Sequence, residues 1–219
     1  VLSPSAEECP PKDVGRVDAY FRERRPTHVF VAAGRSGGIG ANRRYPADLM
    51  LDNLLASTTL LTAAHTHGVE KLLYLGSSCC YPVACPQPMR VEYLGTGPLE
   101  PTSAPYATAK LAGLEVCRAM RRQHGVSFVA AIPADVFGPY STFDPENSHV
   151  IPALIARMHA ATQADAGSIT LWGTGKPRRE FLFADDLADA CLVAMDRYDG
   201  DEPINLGGGT ELSIREVAG

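Results

Sequence analysis

The sequence predicts an α/β protein organised on a doubly wound parallel sheet. Two observations carry this prediction. Apolar runs of strand length alternate with segments of helical spacing along the chain, the pattern that specifies parallel strands with helices on both faces. The run Lys71-Leu72-Leu73-Tyr74-Leu75 is moreover apolar throughout, as strands covered on both sides are. It exits into Gly76-Ser77-Ser78, at the strand end where open α/β sheets place their ligands.

In chain order, Val1-Leu2 reads as the tail of a strand. Asp13 has the chemistry of an N-cap for a helix with Val14, Val17 and Phe21 at helical spacing, stopped by Pro26. Residues 27–33 read as a buried strand. Pro46 suits the first turn of a long helix lined by Leu49, Leu54, Leu61 and Ala64 and ended at Gly68. Strand 71–75 follows, then a helix over residues 106–123 with Gly125 past its end, and a strand over 127–132. Beyond Pro133 the texture changes. A loop over 139–148 leads into a helix over 150–161, short strands over 168–172 and 180–183, a helix over 186–197 and a strand over 204–206. Asp185-Asp186 reads as a helix N-terminal pair, and Ser213-x-x-Glu216 is a capping box that opens a last helix. Residues 1–140 are expected to form the sheet domain. Residues 141–219 are expected to form part of a second region, with 180–206 returning to the main sheet.

Composition narrows the function. A net charge of −5 over 219 residues argues against nucleic acid or an anionic membrane surface as partner. No apolar run approaches the roughly 20 residues that span a bilayer. The six cysteines, Cys9, Cys79, Cys80, Cys85, Cys117 and Cys191, include no Cys-x-x-Cys pair. They read as reduced thiols of a cytoplasmic protein, with no metal site.

Chemistry concentrates in two places. Tyr106 and Lys110 are spaced to share a helix face. Tyr-x-x-x-Lys alone is common and is equally served by a core tyrosine and a surface lysine; the Gly-Ser-Ser strand exit before it turns the reading to a proton-donating site. There the ammonium is expected to lower the Tyr106 pKa while Ser77 holds a carbonyl oxygen. The second place is Gly34-Arg35-Ser36-Gly37-Gly38-Ile39-Gly40, which fits a dinucleotide fingerprint after a strand. Its context argues against a pyrophosphate site. Pro46 disfavours helical geometry at Tyr45, and the next strand ends in Gly76-Ser77-Ser78 and not in a residue that would handle a ribose.

Ser77 with Tyr106-x-x-x-Lys110 resembles the extended short-chain dehydrogenase/reductases, and more finely the GDP-L-fucose synthase family. The finer resemblance rests on Gly76-Ser77-Ser78-Cys79-x-Tyr81-Pro82, Leu99-Glu100-Pro101-Thr102 and Pro105-Tyr106-Ala107-x-Ala109-Lys110. It continues in Asn147-Ser148-His149-Val150-Ile151-Pro152-Ala153-Leu154, Trp172-Gly173-x-Gly175 and Arg179-Glu180-Phe181-Leu182. It implies a Rossmann-like doubly wound sheet whose first strand is absent, with part of a small α+β substrate domain. It implies NADPH (NAD being the alternative), a nucleotide-sugar substrate, a homodimer and a cytoplasmic location. By the same resemblance Ser77, Tyr106 and Lys110 serve a ketone reduction, and Cys79 and His149 exchange protons at the sugar carbons beside the ketone. Leu75, Gly76, Ser78, Lys110, Pro133, Ala134, Asp135 and Val136 line the cofactor, and Arg157, Trp172 and Arg179 contact the substrate.

Each of these residues has a plainer alternative: a small buried hydrophobe for Cys79, an exposed cap for His149, a solvated helix face for Arg157 and a core position for Trp172. The chain departs from the family at Pro133-Ala134-Asp135, where Pro-Thr-Asn is usual, and at Gly34-Arg35-Ser36. It is expected to be an internal piece of a longer polypeptide. Another nucleotide-sugar epimerase or dehydratase, or a non-catalytic Rossmann-like module, are the alternative readings.

Overall fold

The computed structural model describes residues 1–144 and 147–219; Pro145 and Glu146, in the expected loop 139–148, lie outside the described residues. The strand tail expected at Val1-Leu2 does not form, and both residues are exposed. The first regular element is helix α1 (Val14–Arg24), capped by the Asp13 carboxylate, which accepts from the Arg16 amide at 3.0 Å. Val17 and Phe21 turn inward, and Pro26 follows a left-handed Arg25. Strand β1 (His28–Val31) is shorter than expected and is not fully buried: Phe30 is 43% exposed. The reason is position, since β1 is hydrogen-bonded on one side only and forms the edge of its sheet.

A short helix that the sequence pattern does not announce, α2 (Ile39–Arg44), precedes α3 (Pro46–Thr66). Pro46 stands in the first turn of α3, and Leu49, Leu61 and Ala64 are buried along it. Then come β2 (Lys71–Leu75), α4 (Ala104–His124) and β3 (Ser127–Pro133). Helix α4 closes at Gly125, whose φ of 68° a side chain would resist. The remaining elements are β4 (Asp135–Phe137), α5 (Val150–Gln163), β5 (Arg178–Phe183), α6 (Ala184–Arg197), β6 (Ile204–Leu206), β7 (Glu211–Ser213) and α7 (Ile214–Ala218). The strand expected over 168–172 does not form; Trp172, its last residue, is 61% exposed beside Gly173 at φ 74°. The capping box at Ser213 and Glu216 forms as expected.

The doubly wound parallel sheet is present. Four parallel strands run in the order β1-β2-β3-β6. A second, three-stranded sheet runs β4-β5-β7, with β4 parallel and β7 antiparallel to β5. Alternate residues of β2 and β3 serve opposite cores. Leu72, Tyr74, Phe128, Ala130 and Ile132 join the core that α1, α3 and α4 cover, with Val17, Leu61 and Cys117. Leu73, Val129 and Ala131 join the other, with Cys191, Ala194 and Met195 of α6. This two-sided burial is why β2 reads as a continuous apolar run.

One close approach sets the distance of α4 from the sheet. A Cβ on Gly113 would lie 2.3 Å from Cζ and Oη of Tyr74. Tyr74 has little room to yield, being fully buried and hydrogen-bonded to Ser57 at 3.1 Å. Gly113→Ala is therefore expected to destabilise the protein by about 1–3 kcal/mol through overpacking. Urea unfolding of the variant measures this, and an unchanged midpoint would mean that α4 tolerates a wider seat.

Candidate active site

Strand β2 delivers the site. Its exit forms a single turn of 3-10 helix over Ser78–Cys80, and Ser77 caps that turn, accepting from the Cys79 amide at 3.3 Å. The Ser77 hydroxyl is a hub. It lies close enough to the Tyr106 phenol and the Cys79 thiol to favour the ionised form of each, and Ser103 acts on that thiol in the same direction. Cys80 turns the opposite way, with its sulfur on the Ala107 carbonyl at 3.7 Å, as expected for a core residue. Burial pushes its thiol up to about 12.

Helix α4 brings Tyr106 and Lys110. Its start is built by Glu100, whose carboxylate accepts from Thr102 Oγ1 at 2.5 Å, the Ser103 amide at 2.9 Å and Ser103 Oγ at 3.1 Å. Those bonds hold the carboxyl below its ordinary range despite partial burial. The Leu99-Glu100-Pro101-Thr102 run is thus a brace that fixes Ser103 and the first turn of α4.

Lys110 is 6% exposed and donates to the Leu75 carbonyl at 3.0 Å, with its Nζ 5.3 Å from the centre of the Tyr74 ring. Burial lowers its pKa to about 8. Tyr106 departs from expectation. Burial pushes its phenol up, opposed by the Ser77 hydroxyl, and the ammonium is turned to Leu75 and Tyr74. The phenol is therefore held protonated at neutral pH.

Asn53, on α3, is a site residue that the sequence pattern did not single out. It gives both amide protons to carbonyls, of Arg35 at 2.8 Å and Leu49 at 2.6 Å. Its Oδ1 is buried without a partner among the described residues. A signal existed: a polar residue four positions after Leu49, on the inner face of a helix. Gly34 sits against it, and a Cβ there would meet Asn53 Oδ1 at 2.5 Å and Lys110 Nζ at 3.4 Å. The ends of β1 and β2 therefore offer a narrow slot with a buried acceptor and an ammonium that has spent one of its three donors. That donor set fits the hydroxyls of a nicotinamide ribose, so the residues present fit this half of a dinucleotide.

The loop over Gly34 to Gly40 does not fit a pyrophosphate, as the sequence context indicated, although a helix does open after it. The Gly38 amide donates to the Asn147 carbonyl at 2.8 Å, and a Cβ on Gly38 would lie 2.3 Å from the Ser148 carbonyl oxygen. These glycines let the backbone before His149 approach closely, and the Gly38 amide that could bind phosphate is engaged. His149 itself is the exposed N-cap of α5, making no side-chain cap bond. Its segment is tied to the site rim through Gly38.

Of the remaining candidates, Arg157 stacks its guanidinium 4.3 Å from the centre of the exposed Trp172 ring, which removes the core reading of that tryptophan. Arg179 Nε lies 3.7 Å from an Asp135 carboxylate oxygen. Gly76 and Ala134 are fixed in the sheet, their amides donating to Ala131 and Leu206 carbonyls at 2.8 and 2.9 Å. Pro133 ends β3, and Asp135 and Val136 lie on β4. Among the described residues no cluster of metal-ligating side chains occurs, and no helix is long and apolar enough to cross a membrane.

Residues 4–207 match the NAD dependent epimerase/dehydratase family. GDP-L-fucose synthase 1 of Arabidopsis thaliana is 49% identical over 202 residues, which are 92% of this chain and 62% of that protein. The GDP-L-fucose synthase of Escherichia coli (strain K12) is 42% identical over 215 residues, 94% of this chain and 67% of that protein. A GDP-L-fucose synthetase from Naegleria fowleri, crystallised bound to NADP, matches with a TM-score of 0.88 at 29% identity, covering 99% of this chain and 67% of that one. The chain thus spans less than two thirds of the Arabidopsis relative's length. With a match that runs through the main sheet and includes every site residue named above, the chain belongs to the NAD dependent epimerase/dehydratase family.

Proposed function

We propose that this chain carries the reaction centre of a nucleotide-sugar epimerase-reductase that converts GDP-4-keto-6-deoxy-D-mannose to GDP-L-fucose with NADPH. One observation supports this reading above the others. The Ser77 hydroxyl neighbours both the Tyr106 phenol and the Cys79 thiol closely enough to oppose the rise in pKa of each, so a reducing acid and a proton-exchanging group face one substrate position.

In this reading Ser77 donates a hydrogen bond to the C4 carbonyl oxygen, and Tyr106 hands that oxygen its proton. Burial keeps the phenol protonated until a stronger base, the developing alkoxide, appears beside it. Lys110, one turn along α4, keeps its ammonium on the Leu75 carbonyl and the Tyr74 face, so it serves the cofactor before the phenolate. Lys110 and the backbone at Leu75, Gly76, Ser78, Pro133, Ala134, Asp135 and Val136 would hold the nicotinamide half of the cofactor, which when bound supplies hydride to C4. Cys79 and His149 remove and return protons at C3 and C5, the carbons acidified by the ketone between them. Arg157 and Arg179 offer guanidinium groups to the diphosphate, and Trp172 an exposed aromatic face.

The Naegleria fowleri synthetase was crystallised bound to NADP, which supports NADP over NAD. The six cysteines, none of them in a disulfide, support a reducing compartment, here the cytoplasm. A homodimer completes the reading.

Substrate-dependent NADPH oxidation tests this function. Tyr106→Phe is expected to lower it about 10²–10⁴-fold, and Cys79→Ser to stop deuterium from solvent entering C3 and C5 while NADPH still binds. Oxidation at the wild-type rate by Tyr106→Phe would sink the reading.

Lys110 makes a separate, pH-dependent prediction. Its folded pKa of about 8 lies below the ordinary 10.5. Between those values the unfolded chain binds more protons than the folded one, so stability rises with pH across that window and the penalty is full below it. The thermal midpoint of the wild type, measured without nucleotide and taken relative to Lys110→Met, is expected to climb from pH 8 towards 10.5. Parallel pH curves for the two proteins would mean that Lys110 titrates normally.

A further inference from the structure

The Asp135 side chain has surroundings that cofactor contact by its backbone does not explain. Ser78 Oγ donates to Asp135 Oδ1 at 3.4 Å, and Arg179 Nε stands 3.7 Å from Oδ2. Ser78 directly precedes Cys79, so the carboxylate is anchored on the residue next to that thiol. The pair is built within the second sheet, since Asp135 opens β4 and registers with Phe181 of β5, two residues beyond Arg179.

The groups that act on Cys79 come from several elements. Ser77 comes from the strand exit, Ser103 and Tyr106 from the start of α4, Asp135 from β4 and Arg179 from β5, with Cys80 next in sequence turned to the core. Asp135 and Arg179 are the charged members of this set, and they are opposite in sign. A carboxylate near a sulfur disfavours the thiolate, whereas a guanidinium favours it. Burial already holds the Cys79 thiol above its ordinary range, with Asp135 adding to the rise and Arg179 opposing it.

We propose that Asp135 and Arg179 are positioning residues whose opposed charges, fixed beside Cys79 through Ser78 and through each other, set how readily that cysteine gives up its proton. The proposal rests on the reading of Cys79 as a proton-exchanging group and adds what controls it. It also gives a role to the carboxylate at 135, which would repel a phosphate: the carboxylate faces the thiol and neutralises the guanidinium that stands in front of it.

Alkylation of Cys79 by iodoacetamide, followed by peptide mass spectrometry across about pH 6 to 10, reads the thiolate fraction directly. Asp135→Asn is expected to move the midpoint down by roughly half to one unit, and Arg179→Gln to move it up by a similar amount. Asp135→Glu, which keeps the charge, is expected to stay near wild type. A structural role would shift both neutralised variants in the same direction; that result, or midpoints that do not move, overturns the proposal. The functional reading fails separately: midpoints that part as expected in a protein with no exchange at C3 and C5 would overturn that reading and leave the charge pair standing.

Discussion

The bond from the Lys110 ammonium to the Leu75 carbonyl, 3.0 Å long, is the contact on which the site depends. It joins the last residue of β2 to the helix face that carries Tyr106. The strand that delivers Ser77 and the helix that delivers the phenol are thereby held in one frame. A buried ammonium is costly, and the protein meets that cost with a strand-end carbonyl and the face of Tyr74. The uncompensated remainder shows in the depressed pKa. A lysine held this way is poised for a ligand that can occupy its remaining donors.

Glycines govern how closely the parts approach. Gly113 seats α4 on Tyr74, Gly34 lets Asn53 and Lys110 share a slot, and Gly38 admits the backbone that precedes His149. Each glycine serves a contact between elements distant in sequence, so the spacing of glycines within the 34–40 loop says little about its role. This is how a run that matches a phosphate-binding pattern serves instead as a docking strip for protein backbone. Pattern alone does not separate the two, because both need a backbone with no side chain in the way.

Much of this was legible in the sequence. The two-sided apolar runs specified the parallel sheet, and Asp13, Pro46, Gly125 and the Ser213–Glu216 box marked helix ends through local chemistry that tertiary contacts did not override. Ser77 and the Tyr106/Lys110 pair were readable because a strand exit and a helix face place them. What was not readable depended on partners far along the chain. Strand β4 is three residues long and exists through its pairing with β5. Residues 168–172 have the composition of a strand but no ladder forms there. The direction of the Tyr106 shift turned on where Lys110 aims its ammonium, which i,i+4 spacing does not specify.

The proposed site has a sheltered part and an exposed part, and the physical reasons differ. Lys110 is buried where strand ends, α3 and α4 meet, so its ammonium acts in a medium of low dielectric and needs little reorganisation. His149, Trp172 and Arg179 are exposed. An exposed guanidinium keeps its hydration until a ligand arrives, so it can meet a polyanion without having been buried uncompensated beforehand. Asp135 links the two parts, since its carboxylate accepts from Ser78 on one side and stands near Arg179 on the other. In the proposed arrangement a group that draws Arg179 outward changes the field at Cys79, which links the polar rim to the thiol through one carboxylate.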